Sequence, residues 1–464
     1  MNTNKRIILS LIAISVLFFS LIAYLTYFEI FTKDQIVSNS YNQRLSEYED
    51  AVLRGNIYDR NGTIIAYSER EGEEAEQKRI YPYENTYSHI IGYSSKTYGK
   101  ALLEASYNKY LLNINELRPV IDLKNQITGQ TSKGNNLYLT IDHELQSLGQ
   151  ELLGENKGAI VVMNPKTGEI LAMVSKPDYN PNSATLEKNW TSIVESENTP
   201  LLPRATQGLY PPGSTFKTVV ASAAIENGLG DTTFEDKGVT TIGGKEIKNY
   251  GAKAYGNINL EEALTYSSHV AFAELGVALG DGDLRKLSEK LLFNQSIDFE
   301  ISLKKSYFPS KKLNKSEQAV TAYGQGELLV TPLHMAMMVS TIANDGIMMK
   351  PILVKNITGF TGTEGKPQEL STVMSAKTAN EVTSMMESVV NKGTGKNAAI
   401  SGVQVAGKTG TAENNTDKSH AWFIGFAPAD DPQIAVAVIL ENSGSTGGES
   451  AAPLARWMMQ QALK

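Results

Sequence analysis

Cysteine is missing altogether from this 464-residue chain. Disulfides, thiolate-ligated zinc and a thiol nucleophile are thereby excluded together, although the compartment is not fixed by that alone. Histidine is scarce. The five residues His89, His143, His269, His334 and His420 stand far apart, without the short spacings of a ligand set, so no metal centre is expected. Positive charge is in deficit too: the formal net charge is −7, and no Lys/Arg stripe with interleaved aromatics offers a footprint for nucleic acid. Disorder is excluded as well, because 41% hydrophobic and 20% charged residues are the proportions of a folded globular protein.

What is present begins with an uncharged run. Ile7 to Phe28 covers 22 residues, preceded by Lys5 and Arg6 and followed by Glu29, Lys33 and Asp34. About 20 apolar residues span a bilayer as a helix, longer than the core of a signal peptide. No small-x-small cleavage site follows, and Tyr24, Tyr27 and Phe28 resemble an interfacial belt. With the positive flank N-terminal, the expectation is a single-pass span over 7–28, residues 1–6 in the cytoplasm and the rest outside.

A chain of this length suits more than one domain. Residues 29–135 are polar and broken up, and read as a small accessory domain, a pedestal. In it a strand-like segment ends at Asn61-Gly62, the signature of a two-residue hairpin turn, with Thr63 to Tyr67 as the return strand. The acidic run Glu69 to Glu76 reads as a solvated loop, and Lys100 to Leu111 as helical. From Asn136 the texture changes. Leu137 to Ile141 alternates like a strand, and Asp142 caps an amphipathic helix reaching Leu153. Two apolar strands, Gly158 to Met163 and Glu169 to Val174, flank the turn Asn164 to Gly168. After a largely helical middle come strands at Val403 to Gly407, Ala421 to Ala427 and Gln433 to Leu440, then a helix with Pro453 in its first turn. Residues 136–464 therefore read as an α+β domain: an antiparallel sheet covered by helices, with an inserted helical lobe.

The sharpest local chemistry is Pro211-Pro212-Gly213-Ser214-Thr215-Phe216-Lys217. A tight turn leads into an apolar helix, so Ser214 sits where free N–H groups favour developing negative charge. Lys217, at i+3, lies on the same helix face, and a buried lysine beside other cations is neutral enough to take a proton. The spacing also occurs at Ser106/Lys109 and Ser302/Lys305, where no such turn precedes it. Downstream lie Tyr266-Ser267-Ser268-His269, leading into an apolar helix, and Lys408-Thr409-Gly410-Thr411 at the end of a strand. A lysine, a hydroxyl and a glycine there offer charge, a hydrogen bond and close backbone approach to an anionic substrate. Lys166-Thr167-Gly168 spells the same triplet in a hairpin turn, where it is ordinary turn chemistry.

The order Ser-x-x-Lys, Ser-x-His, Lys-Thr-Gly resembles that of the penicillin-binding, acyl-serine D,D-transpeptidases, which carry Ser-x-x-Lys, Ser-x-Asn and Lys-Thr/Ser-Gly. The resemblance extends to Arg54-Gly55-Asn56 through Asn61-Gly62, Met163 to Gly168, Tyr323-Gly324-Gln325-Gly326 and Trp422 to Gly425. Lacking a glycosyltransferase domain, the chain is similar to class B members of the compact PbpA-like type, with Tyr98-Gly99 and Glu104 to Asn108 in the pedestal. The resemblance implies the transpeptidase fold shared with β-lactamases, set on a dimerisation-type pedestal, and no cofactor or metal. It implies Ser214 as nucleophile toward the penultimate D-Ala carbonyl of a peptidoglycan stem peptide, and Lys217 as base. Ser267, assisted by Lys408, would relay a proton to the leaving amine. Backbone N–H groups of Ser214 and Thr411 would form the oxyanion hole, where one donor is typically worth roughly 2.7–4 kcal/mol. Thr409, Gly410 and Thr411 would line the substrate, with the Thr409 and Thr411 hydroxyls holding its carboxylate or that of a β-lactam. A membrane glycan polymerase of the SEDS type is the implied partner.

One residue departs from the pattern: His269 stands where the family has Asn. Imidazole offers one donor and one acceptor in a different geometry from an amide, and can bond Lys217 or the substrate amide, or make the site pH-sensitive. Ser196-Glu197-Asn198 spells the usual triplet but precedes the nucleophile. The same residues would also serve a D,D-carboxypeptidase or β-lactamase, and a β-lactam sensor or idle scaffold would keep the fold without turnover.

Overall fold

The computed structural model describes residues 3–28, 31, 49, 52–70, 76–114, 132–359, 365–414 and 416–464. Its first element is helix α1 (Thr3–Tyr27), whose apolar side chains stand exposed. The stretch Asn4–Tyr27, 24 residues containing an 18-residue window of mean hydropathy 2.6, has the length and composition of a bilayer span. Most of the expected acidic loop, at 71–75, lies outside the described residues, as do 29–30, 32–48 and 115–131 of the pedestal.

The central sheet is built from strands β1 (Gly158–Met163), β2 (Ile170–Lys176), β3 (Ala406–Ala412), β4 (His420–Ala427) and β5 (Ile434–Leu440). Their spatial order is β3-β4-β5-β1-β2, with every neighbouring pair antiparallel. Antiparallel sheets commonly leave one face wet and alternate in polarity, yet Ala-Ile-Val-Val-Met and Ile-Ala-Val-Ala-Val-Ile-Leu do not alternate. Helices on both faces account for this. Ile160, Val162 and Val438 join Leu145 and Leu153 of α2 (His143–Leu153) and Met458 of the C-terminal helix Ala451–Ala462. Val161, Met163 and Ile439 point the other way, into the core that holds the buried helix Pro332–Ala343. Asp142 caps α2 as its sequence position implies, accepting from the N–H groups of Glu144 and Leu145.

A second sheet crosses the boundary drawn from sequence texture. In spatial order it contains Val354–Ile357, Leu137–Leu139, Ile57–Tyr58, Ile64–Glu69 and Lys78–Ile80. Leu137–Leu139 runs parallel to Ile57–Tyr58 and antiparallel to Val354–Ile357, so residues on both sides of position 136 share one sheet. The turn at Asn61-Gly62 is longer than two residues, because Tyr58 pairs with Ile64. The Asp59 carboxylate causes this by accepting from the N–H groups of Asn61 (2.9 Å) and Thr63 (2.7 Å), an Asx-type turn. The expected helix near Lys100 to Leu111 is two short ones, Leu102–Ser106 and Asn108–Leu111, broken at Tyr107.

The pedestal is held by a buried charge cluster. Glu104 is fully buried and accepts from Arg54 Nε at 2.6 Å, Arg79 Nε at 2.7 Å and the Tyr81 hydroxyl at 3.2 Å. The guanidiniums spend further donors on the carbonyls of Glu104 and Gly55, and Arg54 also bonds Asn108. Burial alone pushes the Glu104 carboxyl up. The fields of Arg54 and Arg79 outweigh it and bring the group down to about 2.

Candidate active site

Ser214 lies in a 3-10 turn, Gly213–Phe216, that runs directly into α3 (Lys217–Glu226). Ser214 thus sits one turn ahead of the α-helix proper. Three bonds pin the turn, one internal and two from distant parts of the chain. Thr215 Oγ1 donates to Pro212 O (2.7 Å), Gly213 N to Gly324 O (2.8 Å) and Trp422 Nε1 to Pro211 O (3.0 Å). The Tyr323-Gly324-Gln325-Gly326 motif acquires a reason here. A Cβ on Gly324 would stand 1.9 Å from Gly213 O, and its φ of +83° disfavours any other residue. Gly324→Ala is therefore expected to cost about 1–3 kcal/mol and to slow acylation of Ser214 as its turn shifts. Thermal melting together with the rate of penicillin labelling checks both effects.

The Ser267–His269 turn is strained and heavily braced. Ser267 adopts φ +61°, costly for a residue with a side chain. Ser268 caps α4 (His269–Lys290) by accepting from Ala271 N, and donates to Asp236 Oδ2 at 2.6 Å. Asn249 donates to both Asp236 oxygens and accepts from the N–H groups of His269 (2.8 Å) and Val270 (3.1 Å). Asp236 and Asn249 belong to the inserted lobe and carry no motif, so sequence patterns do not single them out.

Two buried lysines converge on this turn. Lys217 Nζ donates to Ser267 O at 2.7 Å and lies 3.4 Å from Ser267 Oγ. Lys408 Nζ donates to the same hydroxyl at 2.9 Å and to Thr409 O at 2.9 Å. Burial pushes Lys217 well below the usual lysine range, and the neighbouring Lys408 charge pushes it further while Asp236 pulls it back. Desolvation alone brings Lys408 down to about 7. The site thus holds an amine poised to be neutral and one poised to exchange a proton near neutrality. Ser214 Oγ faces His269 Nε2 at 3.5 Å.

Lys408, Thr409, Gly410 and Thr411 all lie within β3, at the edge of the sheet. Thr409 and Gly410 face Phe423 and Trp422 of β4 in register, and the strand continues to Ala412 opposite His420. The missing side chain of Gly410 serves a protein contact. Its Cβ would meet Thr215 Cγ2 at 3.0 Å and Pro212 O at 3.1 Å, so glycine lets the Ser214 turn lie against the strand. The Thr409 hydroxyl pairs with Thr394 Oγ1 at 2.6 Å, a partner from the Lys392-Gly393-Thr394-Gly395 loop that no sequence pattern marks. The other matching triplets fall elsewhere. Ser106 ends a pedestal helix, Lys166-Thr167-Gly168 forms the β1–β2 turn, and Ser196 follows the exposed end of helix Ser183–Glu195. Among the described residues no group of three or more His, Asp or Glu is placed to hold a metal.

Comparison with known proteins identifies the family. The penicillin binding protein transpeptidase domain matches residues 158–460, and the penicillin binding protein A dimerisation domain matches 54–137. The chain belongs to the penicillin-binding protein transpeptidases. It is 32% identical to the peptidoglycan D,D-transpeptidase PbpA of Mycolicibacterium smegmatis, covering 100% of this chain and 99% of that one. It is also 29% identical to the D,D-transpeptidase MrdA of Acinetobacter baumannii, covering 82% of this chain and 66% of the relative. Among solved structures, penicillin-binding protein A of M. tuberculosis as its imipenem acyl-enzyme superposes with TM-score 0.83 at 30% identity, over 90% of this chain and 100% of that one. Pseudomonas aeruginosa PBP2 does so with TM-score 0.77 at 29% identity, over 89% and 95%.

Proposed function

We propose that this chain is a membrane-anchored, serine-type peptidoglycan D,D-transpeptidase that forms its acyl-enzyme on Ser214 and is acylated there by β-lactams. The observation that carries the reading is the convergence of both motif lysines on the Ser267 hydroxyl, at 3.4 Å and 2.9 Å, beside the buried Ser214 turn. Ser214 Oγ attacks the penultimate D-Ala carbonyl while its proton passes to a neutral base, Lys217 in the pattern's own assignment. The oxyanion falls to the backbone N–H groups of Ser214 and Thr411. On collapse the C–N bond breaks, and the departing D-Ala nitrogen takes a proton from Ser267, which Lys408 restores. A stem-peptide amine then attacks the ester, its proton returns by the same route, and Ser214 regains its hydrogen. Thr409 and Thr411 hold the donor's carboxylate; His269 and Gly410 complete the wall.

The N-terminal helix is assigned as a single span with residues 1–6 cytoplasmic and the catalytic domain outside. The pedestal over 29–135 and the span are the docking surfaces offered to a SEDS-type glycan polymerase, and 136–464 is the transpeptidase unit. The test is acceptor dependence. Full-length protein in detergent, given a stem peptide ending in D-Ala-D-Ala and a labelled amine acceptor, is expected to yield mostly transfer product and to release bound penicillin only over hours. Rapid penicillin release with free acid as the main product would make it a carboxypeptidase or β-lactamase. No adduct at all would make it a scaffold.

A further inference from the structure

The hydrogen bonds of His269 reach beyond the substrate-lining place that the motif assigns to this position. Nδ1 lies 3.0 Å from Lys248 O. A carbonyl oxygen only accepts, so the ring hydrogen sits on Nδ1 and Nε2 keeps its lone pair. That lone pair faces Ser214 Oγ, the reacting atom, at 3.5 Å. Bonds of this kind are commonly long before substrate binds and shorten in the loaded site. The ring is held by its Nδ1 bond and by stacking on Tyr323, with centroids 4.9 Å apart and planes 5° from parallel, while Asn249 fixes the backbone N–H at 2.8 Å. Asparagine at this position has no basic nitrogen. Histidine places one against the nucleophile.

We infer that His269 is a second general base for Ser214, acting in parallel with Lys217, so that this enzyme has two alternative routes for the proton that leaves the nucleophile. The inference rests on Ser214 being the nucleophile. In the His269 route the Ser214 O–H bond breaks as the Oγ–C bond forms, and the proton goes to Nε2. The departing nitrogen takes its proton from Ser267, which Lys408 replaces. In deacylation the incoming amine returns a proton to Ser267 and Lys408 while the imidazolium gives its own back to Ser214 Oγ. The cycle closes with no outside proton donor.

Electrostatics keep the ring a base. Burial pushes His269 well below the usual histidine range, and Lys217 and Lys408 push further against the opposing pull of the Lys248 carbonyl. The charged groups around it are Lys217 from the start of α3, Lys408 from β3, and Asp236 reached through Asn249. Lys245, Glu246 and Lys248 come from the lobe hairpin, and Glu413 from beyond β3. The Lys248 carbonyl holds the ring hydrogen on Nδ1, so Nε2 is offered to Ser214 as a base separate from the Lys217 amine. Where Lys217 carries a proton, the His269 route alone continues.

The test is the rate of acylation by a fluorescent penicillin against pH. Full-length wild type is compared with His269→Asn, Lys217→Met and the double variant. With two routes, Lys217→Met keeps a rate at least about tenfold above the double variant, which loses the roughly 10²–10⁴-fold that a general base supplies. In His269→Asn the acid limb of the profile moves to higher pH. A Lys217→Met enzyme as slow as the double variant at every pH would overturn the inference. So would a His269→Asn profile with its acid limb unmoved, and this arm decides the matter even where the lysine variant does not fold. Loss of labelling in Ser214→Ala bears on the nucleophile alone, so failure of the second base and failure of the first reading are told apart.

Discussion

Replacing Ser214 by Ala is expected to abolish the penicillin adduct and to lower cross-linking by about 10⁴–10⁶-fold, the scale on which loss of an acyl-enzyme nucleophile is felt. The variant is informative because little else changes. Among the described residues the hydroxyl's one hydrogen-bond partner is His269, and the backbone of the turn is held by Pro211, Pro212, Gly324 and Trp422 rather than by the Ser214 side chain. Its melting temperature is therefore expected to stay within about 2 °C of wild type, since removing a weakly bonded hydroxyl changes stability by less than about 1 kcal/mol. Labelling on a denaturing gel and a thermal melt of the same sample separate chemistry from folding. Labelling at the wild-type rate would show that the acylated residue lies elsewhere.

Glu104→Gln is expected to destabilise the protein by about 3–5 kcal/mol, because it leaves the buried guanidiniums of Arg54 and Arg79 without a counter-charge. Urea unfolding followed by pedestal tyrosine fluorescence measures this. Loss below about 1 kcal/mol, the range of an exposed pair, would mean that water compensates the cluster. The same residue gives a pH dependence of determined sign. Its folded-state pKa of about 2 lies below the ordinary 4.5, so its contribution is complete above pH 4.5 and fades as pH falls from there toward 2. The Gln variant should lack that acid-dependent component.

The sheet and the chemistry were legible to different degrees. Strands β1, β2, β4 and β5 announce themselves as apolar runs bounded by turns, and Asp142 as a cap, because burial and local hydrogen bonding act over a few neighbouring residues. The start of β3 was misplaced by three residues, at Val403 rather than Ala406. Lys408 and Thr409 look polar, and their burial comes from Ser267, Thr394 and the Ser214 turn, all distant in sequence. Ser214, Lys217, Ser267 and Lys408 could be picked out by pattern, but the bracing of the middle motif by Asp236 and Asn249 could not. Those side chains act through tertiary hydrogen bonds that leave no spacing behind. The Arg54–Glu104 pair likewise spans 50 residues, and it gives a physical reason for two pedestal segments that matched the family without one. The turn at Asn61-Gly62 erred for the opposite cause. A strong local signal lost to Asp59, whose carboxylate claims the two N–H groups that a shorter turn would have used elsewhere.

The most direct test of Ser214 as the acyl carrier is peptide mapping of the enzyme trapped during turnover of a D-Ala-D-Ala-terminated thioester or depsipeptide donor. The expected result is a stem-peptide acyl group on the fragment containing Ser214 that disappears on adding an amine acceptor, with stoichiometric formation of the cross-linked product. An acyl group on any other residue, or cross-linking with Ser214 never acylated, would contradict it.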